Sequence, residues 1–165
     1  MKSESLHPEI NKVIDFKVLK ITSPAFEEES NIPTKYTCEG EDVSPPLSIE
    51  LIPEEAKSLA IIMDDPDAPS GIWAHWIVWN IPVTHFIKEN EIHGQQGKND
   101  FRKQRYNGPC PPRGIHRYFF KIYALDCLLK LDANSGKNDL ERAMASHILA
   151  FGELIGTYSR SDRNH

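Results

Sequence analysis

Alternating and continuous apolar runs predict that this chain is built mainly of β-strands. Residues 58–63 form a continuous apolar run of strand length, and alternating runs begin near Ala74 and at His116. A shorter alternation over residues 15–21 predicts a first strand. Residues 44–49 include two adjacent prolines, which favour an extended edge segment because proline cannot donate to a sheet ladder. These runs together predict a mostly β fold.

Side-chain alternation also assigns residues of the two later strands to faces of the sheet. In the first of them, one face carries three side chains: His75, Ile77 and Trp79. In the second, His116 and Tyr118 point the same way, close to the start of the strand. Both strands therefore place an imidazole near their entrance.

A single amphipathic helix is predicted towards the C-terminal end. Apolar residues recur at spacings of three and four from Leu140 to Ile155, which is the period of a helix with one buried face. Asn138 and Asp139 are candidates for its N-cap, and Gly156 for its C-terminal breaker. We expect the apolar face to pack into the core or against a second subunit.

Acidic residues and prolines end the strand over residues 58–63. Asp65 and Asp67 lie within the sequence DDPDAP, whose prolines stop the strand and force a turn. If this strand and the next are antiparallel neighbours, both carboxylates share one rim of the sheet with His75. Because His116 and Tyr118 enter the sheet in the same way, the pattern predicts one site at this rim.

Two histidines, a tyrosine hydroxyl and nearby backbone N–H groups are the components of a small anion pocket. A carboxylate beside an imidazole favours its protonated form, so two partly charged rings could hold a phosphate-type group. Trp73 is the tryptophan best placed to form a wall of this pocket. The irregular stretch over residues 83–113 is long enough to indicate a functional loop.

Enzyme chemistry is the weaker interpretation. The two aspartates and two histidines at the rim could ligate a divalent metal, but no HxH, HExxH or CxxC spacing supports this. Cys110 could act as a thiolate nucleophile, but it lies between prolines with no helix N-terminus to activate it. We therefore predict no catalytic residue, no metal and no cofactor. A further alternative is a protease inhibitor that acts through an exposed loop over residues 94–105.

Composition narrows the class of protein and of partner. The chain has 165 residues, of which 39% are hydrophobic, as expected for one domain with a substantial core. A net charge of −5 argues against nucleic acid or a membrane surface as partner, because both select a basic face. No apolar run approaches the roughly 20 residues that span a bilayer. Residues 1–13 are expected to form a flexible extension without a secretory signal, ahead of a single domain over residues 14–165.

The three cysteines, Cys38, Cys110 and Cys127, are too few and too widely spaced to form a disulfide framework. The set is typical of free thiols in a reducing compartment, or of at most one disulfide. Whether Cys38 and Cys110 pair is open at this point. We expect a cytoplasmic protein.

Several short motifs, taken in order, resemble the phosphatidylethanolamine-binding protein family. The chain looks most like its bacterial and archaeal branch, the Raf-kinase-inhibitor-like proteins. The ordered combination is specific, although no single piece is. The matching pieces are Tyr36-Thr37-Cys38, Ser44-Pro45-Pro46-Leu47, residues 64–69, His75-Trp76, residues 108–112, His116-Arg117-Tyr118 and residues 156–160.

The resemblance implies an antiparallel β-sandwich with few helices and a pocket at one end that binds phosphate, acetate or a phosphoryl headgroup. It also implies a cis bond between Ala68 and Pro69, although such bonds are uncommon. Pocket residues carried over by motif are Asp65, Asp67, His75, Gly108, Pro109, His116 and Tyr118.

Family members are not generally enzymes; they act as scaffolds, modulators of kinase pathways or protease inhibitors, and bacterial-type members are often dimeric. The short link over residues 70–74 and the ending GTYSR depart from eukaryotic members, so eukaryotic kinase partners are not carried over. The sequence therefore predicts a non-enzymatic binding module for a small anion or phospho-ligand, with a protein partner and a homodimer as further expectations.

Overall fold

Residues 17–160 form two packed β-sheets and one α-helix in the computed structural model, which describes this part of the chain. The expected flexible extension over residues 1–13 lies outside the described residues. The strands are β1 (Lys17–Val18), β2 (Lys20–Thr22), β3 (Ser30–Asn31), β4 (Leu47–Glu50), β5 (Ser58–Asp65), β6 (Trp73–Ile81), β7 (Phe86–Ile87), β8 (Gln95–Gln96), β9 (His116–Leu125) and β10 (Ile148–Tyr158). The helix, α1, covers Lys137–Met144. The predicted mostly β sandwich with a helix near its C-terminal end is confirmed.

The large sheet has the strand order β1-β10-β9-β5-β6-β8, and β3 also pairs with β10. Its four long strands, β5, β6, β9 and β10, pair with one another in antiparallel fashion. The short strands β1 and β3 join β10 in parallel. The sheet is therefore mixed, with an antiparallel centre.

The small sheet has the order β2-β4-β7, so β4 is its central strand. The predicted edge position of residues 44–49 was wrong. Pro45 and Pro46 come before β4 begins at Leu47, so they do not have to donate to the ladder that β4 makes with both neighbours.

Two apolar clusters cover the two faces of the large sheet. One fills the space between the sheets and includes Leu47 of β4 and Trp76 of β6. The other lies on the opposite face, where Leu140 and Met144 of α1 pack with Trp79. The apolar face of α1 is thus buried within the chain, which leaves it unavailable as a subunit contact.

The C-terminal helix is shorter than predicted, and its extension to Ile155 was wrong. α1 ends at Met144, and Ile148–Tyr158 form β10. Because β10 is buried or half-buried on both faces, its apolar side chains do not alternate strictly and they imitate a helical spacing. Gly156 is a strand residue that allows close packing: a Cβ there would lie 2.5 Å from Ile32 Cγ1.

The start of α1 also differs from the prediction. Its N-cap is Gly136, not Asn138 or Asp139. The Gly136 N–H donates to the Asp139 carboxylate at 3.1 Å, so Asp139 supports the first turn from inside the helix. Within residues 17–160, no helix has the length and the apolar content to cross a bilayer.

A disulfide joins Cys38 to Cys110, with an S–S distance of 2.05 Å. Of the two alternatives left open by the sequence, free thiols or one disulfide, the structure has one disulfide, and Cys127 is free. The bridge links two irregular segments that are 72 residues apart in the chain. It anchors the segment after residue 108 to the body of the protein.

The turn after β5 is built with a trans bond before Pro69. Residues 17–160 contain no cis peptide bond, so the expected cis Ala68–Pro69 bond was wrong. The turn closes instead through the Gly71 N–H, which donates to the Ala68 carbonyl at 3.0 Å. Gly71 has a φ of 108°, a conformation that glycine adopts without steric cost.

Candidate functional site

A cavity of about 240 Å³ opens where β5 ends and where β6 and β9 begin. Its lining residues are Asp65, Ala68, Pro69, Ser70, Trp73, His75, Phe101, Cys110, Pro111, Pro112, His116 and Tyr118. Four of the predicted site residues meet in this cavity, namely Asp65, His75, His116 and Tyr118. Trp73 forms part of its wall, as the sequence suggested.

Asp65 and His116 form a buried pair at the cavity. His116 Nδ1 lies 2.7 Å from Asp65 Oδ2, and the two residues are 7% and 3% exposed. The other carboxylate oxygen, Oδ1, accepts the Asp67 N–H at 2.7 Å. Both oxygens are thus engaged, so the carboxylate holds the His116 ring in one orientation and leaves Nε2 as the nitrogen for a ligand.

His75 reaches the cavity because a β-bulge turns it towards Tyr118. Met63 pairs with Trp76, whereas the next residue, Asp64, pairs with Ala74, so His75 is an extra residue in β6. Its ring lies edge-on to Tyr118, with centroids 5.4 Å apart. The predicted alternation, which put His75 on the face of Ile77 and Trp79, was therefore wrong at this residue.

The environment of His75 favours the neutral ring. Burial lowers the pKa of His75, and the hydrogen bond to Asn107 and the charge of Asp65 oppose this effect only in part. His75 Nδ1 lies 2.6 Å from the Asn107 carbonyl oxygen and must carry the proton that is donated to it. In the neutral ring Nε2 is then a hydrogen-bond acceptor. This differs from the expected pair of charged imidazoles.

Tyr118 brings a buried hydroxyl group to the same place. The residue is 0% exposed, and within the described part of the chain no hydrogen bond of normal geometry reaches its hydroxyl oxygen, although the Asp65 carboxylate and the Cys110 backbone lie close to it. Burial, reinforced by the charge of Asp65, raises the pKa of Tyr118 well above its ordinary value, so the hydroxyl keeps its proton. A buried hydroxyl without a partner costs free energy, and a ligand in the cavity would remove that cost.

Asp67 lies beside the cavity but does not line it. Its carboxylate accepts two hydrogen bonds from the Arg117 guanidinium, each at 2.9 Å, and one from the Arg117 backbone N–H. The Arg117 guanidinium lowers the pKa of Asp67. In this structure Asp67 therefore closes the turn after β5 onto β9.

Gly108 and Pro109 stand behind the cavity wall rather than in it. The Gly108 N–H donates to Asp42 at 2.8 Å, and the Pro109 carbonyl accepts the Cys38 N–H at 3.1 Å. A Cβ at Gly108 would lie 2.2 Å from the Tyr36 carbonyl oxygen, so only glycine fits there. Their neighbours in the chain, residues 110–112, supply the wall.

Phe101 and Asn99 are site residues that the sequence reasoning missed. Phe101 lines the cavity, and its ring lies 5.1 Å from the His75 ring. Asn99 is 3% exposed, and its Nδ2 lies within 3.1 Å of the His75 and Arg105 carbonyls and of Asn107 Oδ1. The one sequence signal for these two residues is that Phe101 is a lone aromatic between two charged residues. No such signal indicates Asn99.

The loop proposed as a protease contact is tied to β6. The Gly97 N–H donates to the Ile77 carbonyl at 2.8 Å, and the Asp100 N–H donates to the Ala74 carbonyl at 2.9 Å. Phe101 of this loop lies in the cavity wall, and the role of residues 94–105 as a protease contact stays a prediction.

The two enzyme interpretations gain no support at this rim. Cys110 is bonded to Cys38, so its sulfur is not a free thiolate. Asp67 is paired with Arg117, and among the described residues no three ligand atoms of Asp65, Asp67, His75 and His116 lie within 4.8 Å of one another.

The comparisons with known proteins agree with this fold. Residues 22–159 match the family model described as phosphatidylethanolamine-binding protein. A UPF0098 protein of Pyrococcus abyssi is 52% identical over 155 residues, which cover 87% of this chain and 86% of the relative. A UPF0098 protein of Methanothermobacter thermautotrophicus is 46% identical, with 86% and 99% covered. None of these names denotes an enzyme.

Two solved structures are similar over most of both chains. The putative phosphatidylethanolamine-binding protein homolog CT736 of Chlamydia trachomatis has a TM-score of 0.84 and 43% identity, with 88% of this chain and 99% of that chain covered. Escherichia coli YbcL, described as a new member of the mammalian family, has a TM-score of 0.80 and 30% identity, with 87% and 99% covered. The chain belongs to the phosphatidylethanolamine-binding protein family and stands among its bacterial and archaeal members.

Proposed function

We propose that this protein is a non-enzymatic binding module whose cavity holds a small anion, either free or as the phosphoryl headgroup of a larger ligand. The observation that carries the proposal is the Tyr118 hydroxyl, which is buried in the cavity without a hydrogen bond of normal geometry to any described residue. It stands beside a histidine, His116, that Asp65 orients. His75, His116 and Tyr118 are the residues proposed to contact the ligand, and Asp65 is proposed to position His116.

The donors and acceptors of the cavity favour an anion that still carries one hydroxyl group. Tyr118 can donate its hydroxyl proton, and His116 can donate from Nε2 when its ring is protonated. His75 is held neutral with Nδ1 bonded to Asn107, so its Nε2 accepts. Hydrogen phosphate (HPO4²⁻) and the monoanion of a phosphate monoester each have unprotonated oxygens that accept from the two donors, and one P–OH group that can donate to His75.

The size and walls of the cavity limit the ligand. At about 240 Å³ the cavity is smaller than the roughly 300–1,000 Å³ that is usual for drug-sized ligands. Trp73, Phe101 and the prolines at residues 111 and 112 give it apolar walls, which suit the first carbon atoms of an ester substituent. Ile72 and Ile115, next to lining residues in the chain, are exposed and would meet whatever extends from the mouth or a partner protein docked there.

The test is a titration of the histidine ring resonances by NMR. We expect inorganic phosphate and phosphoethanolamine to shift the signals of His75 and His116 and to leave exposed His93 unchanged. Sulfate, which has no proton to offer at neutral pH, should bind more weakly than phosphate. If neither His75 nor His116 responds to phosphate at millimolar concentration, the proposed ligand class is wrong.

Two further expectations remain part of this proposal. The location would be cytoplasmic, although disulfides are rare there outside hyperthermophiles. Self-association, if it occurs, must use a surface other than the apolar face of α1, because Leu140 and Met144 are 0% exposed within the chain.

A further inference from the structure

A second cluster of reactive side chains lies at the other end of β9. Leu125 of β9 pairs with Ile148 of β10, and the two strands are continued by Asp126 and His147. The Asp126 N–H donates to the His147 carbonyl at 3.0 Å, and His147 Nδ1 lies 2.9 Å from Asp126 Oδ1. Because β9 has ten residues at about 3.3 Å each, this cluster lies roughly 30 Å from the cavity at the start of the strand.

Cys127 completes the cluster. It follows Asp126 directly, is half-buried and is a free thiol. One ligand atom from each of Asp126, Cys127 and His147 lies within 4.8 Å of the other two. Within residues 17–160 no other group of at least three such side chains comes this close together. A carboxylate, a thiolate and an imidazole are three different kinds of metal ligand.

We propose that Asp126, Cys127 and His147 form a binding site for a divalent cation of the zinc class. Thiolate and imidazole ligands select zinc, cobalt and related ions, whereas magnesium and calcium prefer oxygen ligands throughout. Three protein ligands with a fourth position open to water are a common zinc arrangement. Tetrahedral bonds of about 2.0–2.3 Å require ligand atoms about 3.5 Å apart, so small side-chain rotations are enough.

The backbone around the three residues is held in place, which a metal site requires. The Ser58 hydroxyl donates to the Cys127 carbonyl at 2.7 Å, and the His147 N–H donates to the Met144 carbonyl at 2.8 Å. The side chains of Asp126 and His147 are 44% and 41% exposed, so an ion can reach them from solvent. The ligands are therefore preorganised in their backbone and accessible at their tips.

Cobalt(II) is the probe that tests the site, because a thiolate ligand produces a sulfur-to-cobalt charge-transfer band in the near ultraviolet. With Cys38 and Cys110 bonded to each other, Cys127 is the remaining thiol of the chain's three cysteines. We expect the full-length protein to bind one cobalt ion with this band, and zinc to displace it. Cys127→Ser should abolish the band. His147→Ala and Asp126→Asn should each weaken binding at least tenfold.

His93→Ala is the matched control, since His93 is also paired with a carboxylate, Glu91 at 3.0 Å, but has no cysteine beside it. It should leave the cobalt band unchanged. Circular dichroism establishes that each variant is folded. Absence of a thiolate band with folded, reduced-Cys127 protein, or a band that persists at full strength in both His147→Ala and Asp126→Asn, would overturn the proposal.

Discussion

Asp65 and His116 lie 51 residues apart in the chain, yet Asp65 Oδ2 and His116 Nδ1 are 2.7 Å apart in the buried wall of the cavity. The pairing of β5 with β9 brings the end of one strand beside the beginning of the other. The Asp65 carboxylate thus orients the His116 ring and occupies its Nδ1 atom, which leaves Nε2 as the nitrogen available to the proposed ligand. We therefore expect both the stability of the fold and the proposed ligand binding to depend on this contact.

Asp65→Asn removes the charge of this pair and keeps its shape. We expect a loss of about 1–2 kcal/mol in the free energy of unfolding, because a charge-assisted hydrogen bond becomes a neutral one. Urea denaturation measures the loss. Glu54→Gln, at an exposed position, is the control and should change stability little. An Asp65→Asn variant as stable as the parent would show that the carboxylate charge contributes nothing to the fold.

Tyr118→Phe should change stability and binding in opposite directions. The hydroxyl makes no hydrogen bond of normal geometry to any described residue, so its removal should leave the free energy of unfolding unchanged or raise it by up to about 1 kcal/mol. The affinity for phosphate should fall about tenfold, the equivalent of one hydrogen bond of about 1.4 kcal/mol. Denaturation and calorimetric titration give the two values. Unchanged affinity would exclude the hydroxyl from the ligand site.

His75 should make the protein less stable as the solution is acidified. Burial lowers the pKa of His75 in the folded protein, so below about pH 6.5 the unfolded chain takes up this proton first. The free energy of unfolding should therefore fall from about pH 6.5 downwards, by at most about 1.4 kcal/mol per pH unit for this group. Urea denaturation at pH 7.5, 6.5 and 5.5 measures the slope.

His75→Gln should flatten that slope relative to the parent. Because other groups titrate equally in parent and variant, the difference between the two slopes isolates His75. Identical slopes would show that His75 is not held neutral by the fold.

The Cys38–Cys110 disulfide should stabilise the protein by about 2–4 kcal/mol, because it closes a loop of 72 residues. The double variant Cys38→Ser/Cys110→Ser should lose this amount in urea denaturation, and Cys127→Ser is the control. Since Cys110 lines the cavity, the double variant should also bind phosphate more weakly. Alkylation and mass spectrometry of protein taken directly from cells will show whether the bridge forms where the protein resides.

Asn99→Ala should loosen the loop that carries Phe101. Asn99 Oδ1 accepts the N–H groups of Phe101 and Lys103 at 2.9 and 3.1 Å, and these donors lose their partner in the variant. We expect a cost of about 1–3 kcal/mol and faster amide exchange at both residues. Hydrogen exchange with mass spectrometry measures this, and exposed Asn134→Ala is the control. Unchanged exchange would contradict a positioning role for Asn99.

The long central strands and the identities of four cavity residues were predictable from sequence because they depend on local pattern. Apolar runs bounded by prolines located β5 and β6, and alternation located β9 with His116 and Tyr118 on one face. The motifs then identified the family. These signals come from residues that are close together in the chain, so they can be recognised without knowing which distant residues pack against them.

The remaining features depend on contacts between distant residues. The bulge at His75 moves this side chain to the other face of the sheet, and the alternation of residues in β6 does not predict the bulge. The apolar spacing of β10 predicts a helix because neighbouring elements bury both faces of the strand, so its side chains do not alternate. Gly156 is predicted to end that helix because Ile32, which packs against it, is 124 residues away in the chain. Likewise, the hydrogen bonds by which Asn99 holds the loop that carries Phe101 form only when that loop is folded against β6.

The position of β10 has a consequence for how the chain reaches its native state. β10 stands between β9 and the two short strands β1 and β3, and Lys17 pairs with Ala150. The short strands β1 and β3 therefore have no partner in this sheet until β10, far later in the chain, has been synthesised. Folding dominated by such distant pairings is slow, so the large sheet can close only after β10 is available.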